Sequence, residues 1–319
     1  MRFLITNDWH LRFLAPEHRV DNFYETQRSK VLQIFDLARA HKVRAILHAG
    51  DLFDSANPSK YVISEYIKLF KKQCPCPFYT VIGQHDINYR ALNLINRSAP
   101  AILESSEVIY LLGITAEPTV IRDDVSLESV ALHGLSFGQT DEVKSVEGAF
   151  NVLVAHVSVG DRELFPGHKL TAPRKFLEDH PGFDLCCVGD YHYRFSYKLN
   201  NQVILNAGTL VRKSTADKGH RPGVFIFDTQ TREYELIPLT IRPDAEVFDA
   251  TLTQKPSTAL FDGLLTALAS EKRVSISFDD NLAAVMTEKK VKQPVRDYLA
   301  RTIHQLRESS RDAREIERK

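Results

Sequence analysis

Short apolar runs alternate along this chain with longer stretches in which apolar residues return every three or four positions. Residues 2–6 (Arg-Phe-Leu-Ile-Thr) read as a buried strand that stops at Asn7-Asp8-Trp9-His10. From about Asp21 to His41, Val31, Ile34, Phe35 and Ala38 fall on one helical face that Leu32 and Leu37 widen. A second run over 44–49 ends in Gly50-Asp51-Leu52-Phe53-Asp54, and Asn57-Pro58 reads as a cap and a first-turn proline for a helix carrying Val62, Ile63, Tyr66, Ile67 and Phe70. A third run over 77–82 ends in Gly83-Gln84-His85-Asp86. Three strand and helix units in succession predict a parallel, helix-covered sheet whose ligands gather at the carboxyl ends of its strands.

From about residue 107 the texture changes to short β-branched strands (107–112, 125–135, 151–157), which predicts a second sheet layered on the first. The run 151–155 ends in His156, and 183–188 ends in Gly189-Asp190-Tyr191-His192. Residues 203–205 lead into Asn206-Ala207-Gly208-Thr209, and 223–227 with 233–238 read as a closing hairpin. The pattern breaks near Arg242-Pro243. A strand, helix and strand pattern over 245–280 follows, then a polar helix from about Pro294 with Val295, Leu299, Ile303 and Leu306 down one side. The expected fold class is therefore α/β: a two-layered β-sandwich flanked by helices over 1–240, a small α+β capping domain over 241–285, and a C-terminal helical segment over 286–319.

Composition narrows this picture only slightly. The 319 residues are 43% hydrophobic with a formal net charge of zero, so no globally basic signature marks the chain as nucleic-acid binding. No stretch is long and apolar enough for a membrane span, and the amino terminus enters a strand with no signal-peptide pattern, which predicts a cytoplasmic protein. Cys74, Cys76, Cys186 and Cys187 have neither zinc-knuckle nor redox-pair spacing and are expected to be structural thiols.

The chemistry lies at the strand ends. Asp8 and His10, two apart on an extended segment, are expected to point the same way. Together with Asp51, Gln84, His156, Asp190 and His192 they form an oxygen and nitrogen set without thiolate, suited to octahedral Mn²⁺, Mg²⁺ or Fe²⁺ rather than a closed structural zinc site. Asp51, with two carboxylate oxygens, is the natural bridge between two cations, and such a pair suits phosphoester hydrolysis. His85 is placed to orient a phosphate and protonate the departing oxygen. His48, His133, His168, His180 and His220 are expected to be packed or surface imidazoles.

Asp8-Trp9-His10, Gly50-Asp51-Leu52-Phe53-Asp54, Gly83-Gln84-His85-Asp86, Ala155-His156 and Gly189-Asp190-Tyr191-His192 together resemble the five ordered motifs of calcineurin-like metallophosphoesterases. The turn at Asn206 to Thr209 is similar to that family's Asn-Pro-Gly-Ser element. Within the superfamily, the Asp8 to Leu11 opening, Gly-Asp-Leu-Phe-Asp followed by Pro58-Ser59, and the additional C-terminal regions resemble DNA-repair nucleases of the SbcD type. The resemblance implies one metal on Asp8, His10, Asp51 and His192, another on Asp51, Gln84, His156 and Asp190, and His85 as the acid. It implies Mn²⁺-dependent cutting of DNA, 3′ to 5′ from duplex ends and endonucleolytic on single strands. It also implies dimerisation through the helices near 58–72 and 88–97, and a coiled-coil SbcC-type ATPase gripped by the C-terminal helix through Leu299, Ile303 and Leu306. Gln84 stands where the family usually has Asn, and Asp190 where it has His. Both fall on one implied metal, and the added carboxylate predicts a preference for Mn²⁺ or Mg²⁺ over Zn²⁺. The alternatives are a phosphatase or cyclic-nucleotide phosphodiesterase with the same core, and a catalytically weakened scaffold subunit for the ATPase.

Overall fold

The computed structural model describes residues 1–249 apart from 89–91, 116, 124–126, 141, 164–168 and 215–216. Most of the expected capping domain (250–285), and the whole helical segment with Leu299, Ile303 and Leu306, lie outside the described residues.

Two six-stranded sheets form the body. In the first, β1 (Arg2–Thr6), β2 (Ala45–His48), β3 (Phe78–Thr80) and β4 (Tyr110–Leu111) run parallel. The antiparallel hairpin β11 (Gly223–Asp228) and β12 (Glu233–Pro238) closes the sheet on the β1 side. In the second, β6 (Ser129–Leu135), β7 (Phe150–His156), β8 (Leu185–Gly189) and β10 (Gln202–Asn206) are parallel, with β5 (Thr119–Arg122) and β9 (Phe195–Leu199) as antiparallel edges. One expectation changes here: the residues near 107–112 supply β4 to the first sheet, not a strand to the second.

The strand runs read as continuously apolar because both faces are buried. On β1, Phe3 and Ile5 enter a core shared with Val152 and Val154 of β7, while Leu4 turns outward to meet Val31, Ile34 and Phe35 of α1 (Phe23–Ala40). The helix after Asp54 is α2 (Lys60–Gln73). Its cap is Ser59, whose hydroxyl accepts from the Val62 N–H at 3.3 Å, so Asn57-Pro58 lies just before the helix instead of opening it. The short α3 (Ala99–Ser105) adds Ala99 and Leu103 to the same outer layer. On β8, Cys187 joins the layer between the sheets and Cys186 the outer layer under α4 (Pro173–Asp179). Burial raises the thiol pKa at both cysteines, in keeping with packed, unreactive groups. The pattern over 245–280 was expected to open with a strand, but Val247 ends the short helix α5 (Asp244–Val247). No helix among the described residues is long and apolar enough to cross a membrane.

Candidate metal centre

Every strand that ends in chemistry ends on the same side of the sandwich. The parallel register places Thr6 of β1 beside His48 of β2, and His156 of β7 beside Gly189 of β8, so the loops leaving these strands emerge together. Backbone hydrogen bonds then lock loop to loop. Asp8 N–H donates to Gly50 O at 3.1 Å, His10 N–H to Asp51 O at 3.0 Å, and Leu11 N–H to Leu52 O at 2.9 Å.

Asp8, His10, Asp51 and Asp190 adopt positive φ values of 51°, 48°, 54° and 77°. Asp8 and His10 therefore converge through left-handed turns beyond β1, and not through the two-residue period of an extended strand. Non-glycine residues rarely hold this conformation, and strained positions of this kind cluster at functional sites. Asn7 helps to hold the turn: its side-chain amide donates to Asp8 Oδ2 at 2.6 Å and to Asn206 Oδ1 at 3.0 Å, while its oxygen accepts from Ala207 N–H at 2.8 Å.

The expected site residues converge on a common cluster. Asp51 is completely buried, and its Oδ1 accepts from the His85 N–H at 2.8 Å. Its Oδ2 has no hydrogen-bond partner and lies 3.6 Å from His156 Nε2, 3.8 Å from His10 Nε2 and 3.9 Å from His85 Nε2. His10 Nε2 is also 3.9 Å from Asp8 Oδ1 and 3.2 Å from His192 Nε2. Three triads, Asp8 with His10 and His192, Asp8 with Asp51 and His156, and His10 with Asp51 and His85, each bring one ligand atom per residue within 4.8 Å of the others. A buried carboxylate oxygen with no donor, surrounded by imidazole nitrogens, fits a hard divalent cation, and Asp8 belongs to two of the triads.

Gln84 spans the second half of the cluster. Its amide donates to Asp190 Oδ1 at 2.7 Å, and its Oε1 lies 2.5 Å from His156 Nε2. His156 Nδ1 faces Ala49 O at 2.7 Å, so acceptors stand at both ring nitrogens. Burial opposes a charge on this ring, yet the Asp51 and Asp8 carboxylates carry its pKa above the usual value. The Nδ1–H donated to Ala49 directs the Nε2 lone pair inward, where a proton and a cation compete for it. Burial drives His10 the other way, with Lys213 and His192 adding to the effect, so its ring is neutral and open to coordination. The same burial pushes the Asp51 carboxyl well up.

His85 is the accessible member, with 44% of its side chain exposed. Its Nδ1 lies 3.2 Å from Asp54 O, and donation there leaves Nε2 facing the cluster. Burial and then Lys213 lower its pKa.

Several participants carried no role in the sequence reading. Asp86 is buried, and its carboxylate accepts from the N–H groups of Phe53 at 2.9 Å, Gly83 at 3.0 Å and Leu52 at 3.3 Å, fastening the Asp51 loop to the Gln84-His85 loop. Asp54 accepts from Arg12 at 2.6 Å and Lys213 at 3.1 Å and lies 3.5 Å from His10 Nδ1. Gly83 approaches Asp51 so closely that a Cβ would sit 2.0 Å from Asp51 Oδ1. Asp54 and Asp86 were visible as carboxylates at strand ends, whereas Lys213 lies far along the chain with no motif around it. The histidines expected to be structural are accounted for elsewhere: His48 bonds Thr80, His133 bonds Asn151, His180 faces Phe176 O and His220 faces Thr209 O, while His168 lies outside the described residues.

A layered sandwich that gathers carboxylates and imidazoles from five parallel strand ends defines a metal-binding phosphoesterase scaffold. The chain belongs to the calcineurin-like phosphoesterase family, whose pattern matches residues 1–194. It is 24% identical over 235 residues to the DNA double-strand break repair protein Mre11 of Methanosarcina mazei, covering 69% of this chain and 35% of that protein. Against Mre11 of Sulfolobus acidocaldarius it is 29% identical over 204 residues, covering 61% and 50% respectively. Against the SbcD subunit of the SbcCD nuclease of Escherichia coli K12 it is 34% identical over 122 residues, covering 36% and 26%. The chain thus spans half or less of each of these curated relatives.

Proposed function

We propose that the chain is a nuclease subunit of the SbcD and Mre11 type that hydrolyses DNA phosphodiesters with two divalent metal ions, Mn²⁺ or Mg²⁺ in preference to Zn²⁺. The observation that carries this reading is the convergence of imidazoles on the buried, unpartnered Oδ2 of Asp51. In the assignment we favour, Asp8, His10, Asp51 and His192 hold one ion, and Asp51, Gln84, His156 and Asp190 the other. Bound there, the ions would polarise a phosphoryl oxygen and generate hydroxide near neutral pH. The remaining work belongs to the chain itself. Asp54 and Asp86 fix the loops, and Ala49 O sets the tautomer of His156. Half-exposed His85 meets the incoming phosphate through Nε2, where the anion favours the protonated ring, and hands its proton to the departing oxygen.

DNA as the substrate rests on the names of the three relatives. The finer assignments rest on the family resemblance: 3′ to 5′ action on duplex ends, endonucleolytic action on single strands, dimerisation, and an SbcC-type ATPase held through Leu299, Ile303 and Leu306. End-labelled duplex DNA incubated with the purified Mn²⁺-loaded protein, with and without such an ATPase, tests the reading against a small phosphodiester control. Metal-dependent shortening of the DNA supports it. Cleavage of the small ester alone would identify a phosphatase or nucleotide phosphodiesterase, and no cleavage with the ATPase present would leave a scaffold.

A further inference from the structure

A second polar site lies away from the candidate metal centre, in a recess of about 220 Å³ between α1 and the segments 211–212 and 240–247. Four cationic residues line it, and three of them, Arg19, Lys30 and Arg212, are at least 93% buried, while Arg242 is exposed at the rim. The two guanidiniums are already engaged. Arg19 makes two 2.7 Å bonds to the Asp21 carboxylate and a third to Arg212 O at 2.7 Å. Arg212 pairs with Asp244, donates to Arg242 O at 2.6 Å, and lies over the Phe248 ring.

Lys30 differs. It is only 5% exposed, and its ammonium makes no hydrogen bond or ion pair with any described residue. Its stem is packed away while the nitrogen keeps contact with solvent in the recess, so water and no protein anion answers its charge. Burial, together with Arg212 and Arg19, lowers its pKa to about 8, so the group stays largely charged at neutral pH while facing two more cations. The acidic neighbours do not answer it: Asp21 and Asp244 are committed to the guanidiniums, and Glu25 on the rim lies 3.7 Å from Arg28. Ser29, Thr26 and Thr240 add hydroxyl groups to the lining. At about 30 Å³ per water the recess has the volume of roughly seven waters, enough for a tetrahedral oxyanion with part of its hydration shell.

We propose that this recess binds a phosphate group, free or as a small phosphomonoester, with the Lys30 ammonium as its principal counter-charge. Arg212 lines the recess while the adjacent Lys213 reaches Asp54 of the metal centre, so one short segment borders both sites.

The test uses the full chain loaded with Mn²⁺, titrated calorimetrically with inorganic phosphate and separately with a nucleoside 5′-monophosphate. Because the metal centre also attracts phosphate, wild type is compared with Lys30→Met, which keeps the unbranched stem and removes the charged nitrogen, and with Lys30→Arg, which keeps the charge. We expect a class of phosphate site that Lys30→Met weakens at least tenfold and Lys30→Arg retains, while Mn²⁺ affinity and hydrolysis of a small phosphodiester are unchanged. Binding of phosphate alone identifies the free ion as the ligand, and binding of both ligands shows that the recess admits an ester. In wild type labelled with ¹³C at the lysine ε carbon, the Lys30 resonance should shift on phosphate addition. A phosphate isotherm unaltered by Lys30→Met, or a Lys30 resonance that stays still at saturating phosphate, overturns the proposal.

Discussion

Replacing Asp51 by Asn separates a structural carboxylate from one that is retained for a cation. Asp51 is fully buried, its Oδ1 accepts the His85 N–H at 2.8 Å, and its Oδ2 has no donor. Asn keeps the Oδ1 acceptor and presents an amide N–H where Oδ2 stood, 3.6 Å from His156 Nε2. Leaving a buried polar atom unsatisfied costs about 1–3 kcal/mol. The metal-stripped Asn variant should therefore be as stable as stripped wild type or more stable by up to about 2 kcal/mol. Loaded protein behaves in the opposite way. Metal at a hundredfold excess over its dissociation constant stabilises the native state by about 2.7 kcal/mol per site. At about 2–4 °C per kcal/mol for domains of this size, wild type should gain about 5–11 °C in Tm for each site that Mn²⁺ fills, and about 11–22 °C with both filled. Asp51→Asn should lose most of that gain and at least about a hundredfold in phosphodiesterase rate, equivalent to about 2.7 kcal/mol of barrier. Paired thermal melts with chelator and with Mn²⁺ read both arms. A stripped variant that melts far below stripped wild type would make Asp51 a fold-stabilising residue, and a variant that keeps the full Mn²⁺ gain would remove it from the metal centre; either result refutes the reasoning.

His85→Ala should leave Mn²⁺ affinity within about threefold while lowering kcat by roughly 10²–10⁴, the range for losing a positioned acid, as measured by calorimetry alongside steady-state assay. Gly83→Ala places a Cβ 2.0 Å from Asp51 Oδ1 and should cost about 1–3 kcal/mol in denaturant melts together with metal affinity, whereas Gly219→Ala, with nothing within 4 Å, should change stability by less than about 0.5 kcal/mol. Because a proton and a cation compete for His156 Nε2, and the carboxylates raise its pKa, apparent Mn²⁺ affinity should fall as pH drops, by up to about tenfold per unit; titrations in buffers of different ionisation enthalpy should show the released proton. His48, buried between Trp9 and Phe78, has a pKa lowered by burial, so the unfolded chain binds this proton more readily. Stability should then fall as pH drops below about 6.5, by at most about 1.4 kcal/mol per unit from this group, and His48→Phe should flatten that slope in acid melts.

The parallel strands were legible because burial on both faces writes continuous apolar runs, and the glycines after β2 and β3 mark where those runs end, whereas the half-exposed edge strands β5 and β9 wrote no such run and were not read from the sequence. Boundaries slipped where local signals competed. Asn57-Pro58 resembles a helix start, but Ser59 has the hydroxyl that reaches Val62 N–H, and the helix begins there. The two-residue strand β4 carried too little pattern to show which sheet it would join; pairing with Tyr79 and Thr80 decided that. From residue 250 onward the sequence expectations fall outside the described residues.

The centre itself illustrates a different limit. Spacing pointed to Asp8 and His10 as partners, but for a reason the backbone does not use: both sit at positive φ, and their convergence depends on hydrogen bonds to Gly50 and Asp51 across the loop. The second sheet adds to this bracing. Asp190 N–H points at the Asp8 carboxylate at 3.2 Å, and His156 Nδ1 meets Ala49 O at 2.7 Å, so each sheet holds the other's strained residues. Gly189 permits this contact, since a Cβ there would lie 2.1 Å from Ala49 O. Contacts that close the sandwich thus also hold the centre. A substitution that separates the sheets at Gly189 should disorder Asp8 and Asp51 together, even though it removes none of the candidate ligands.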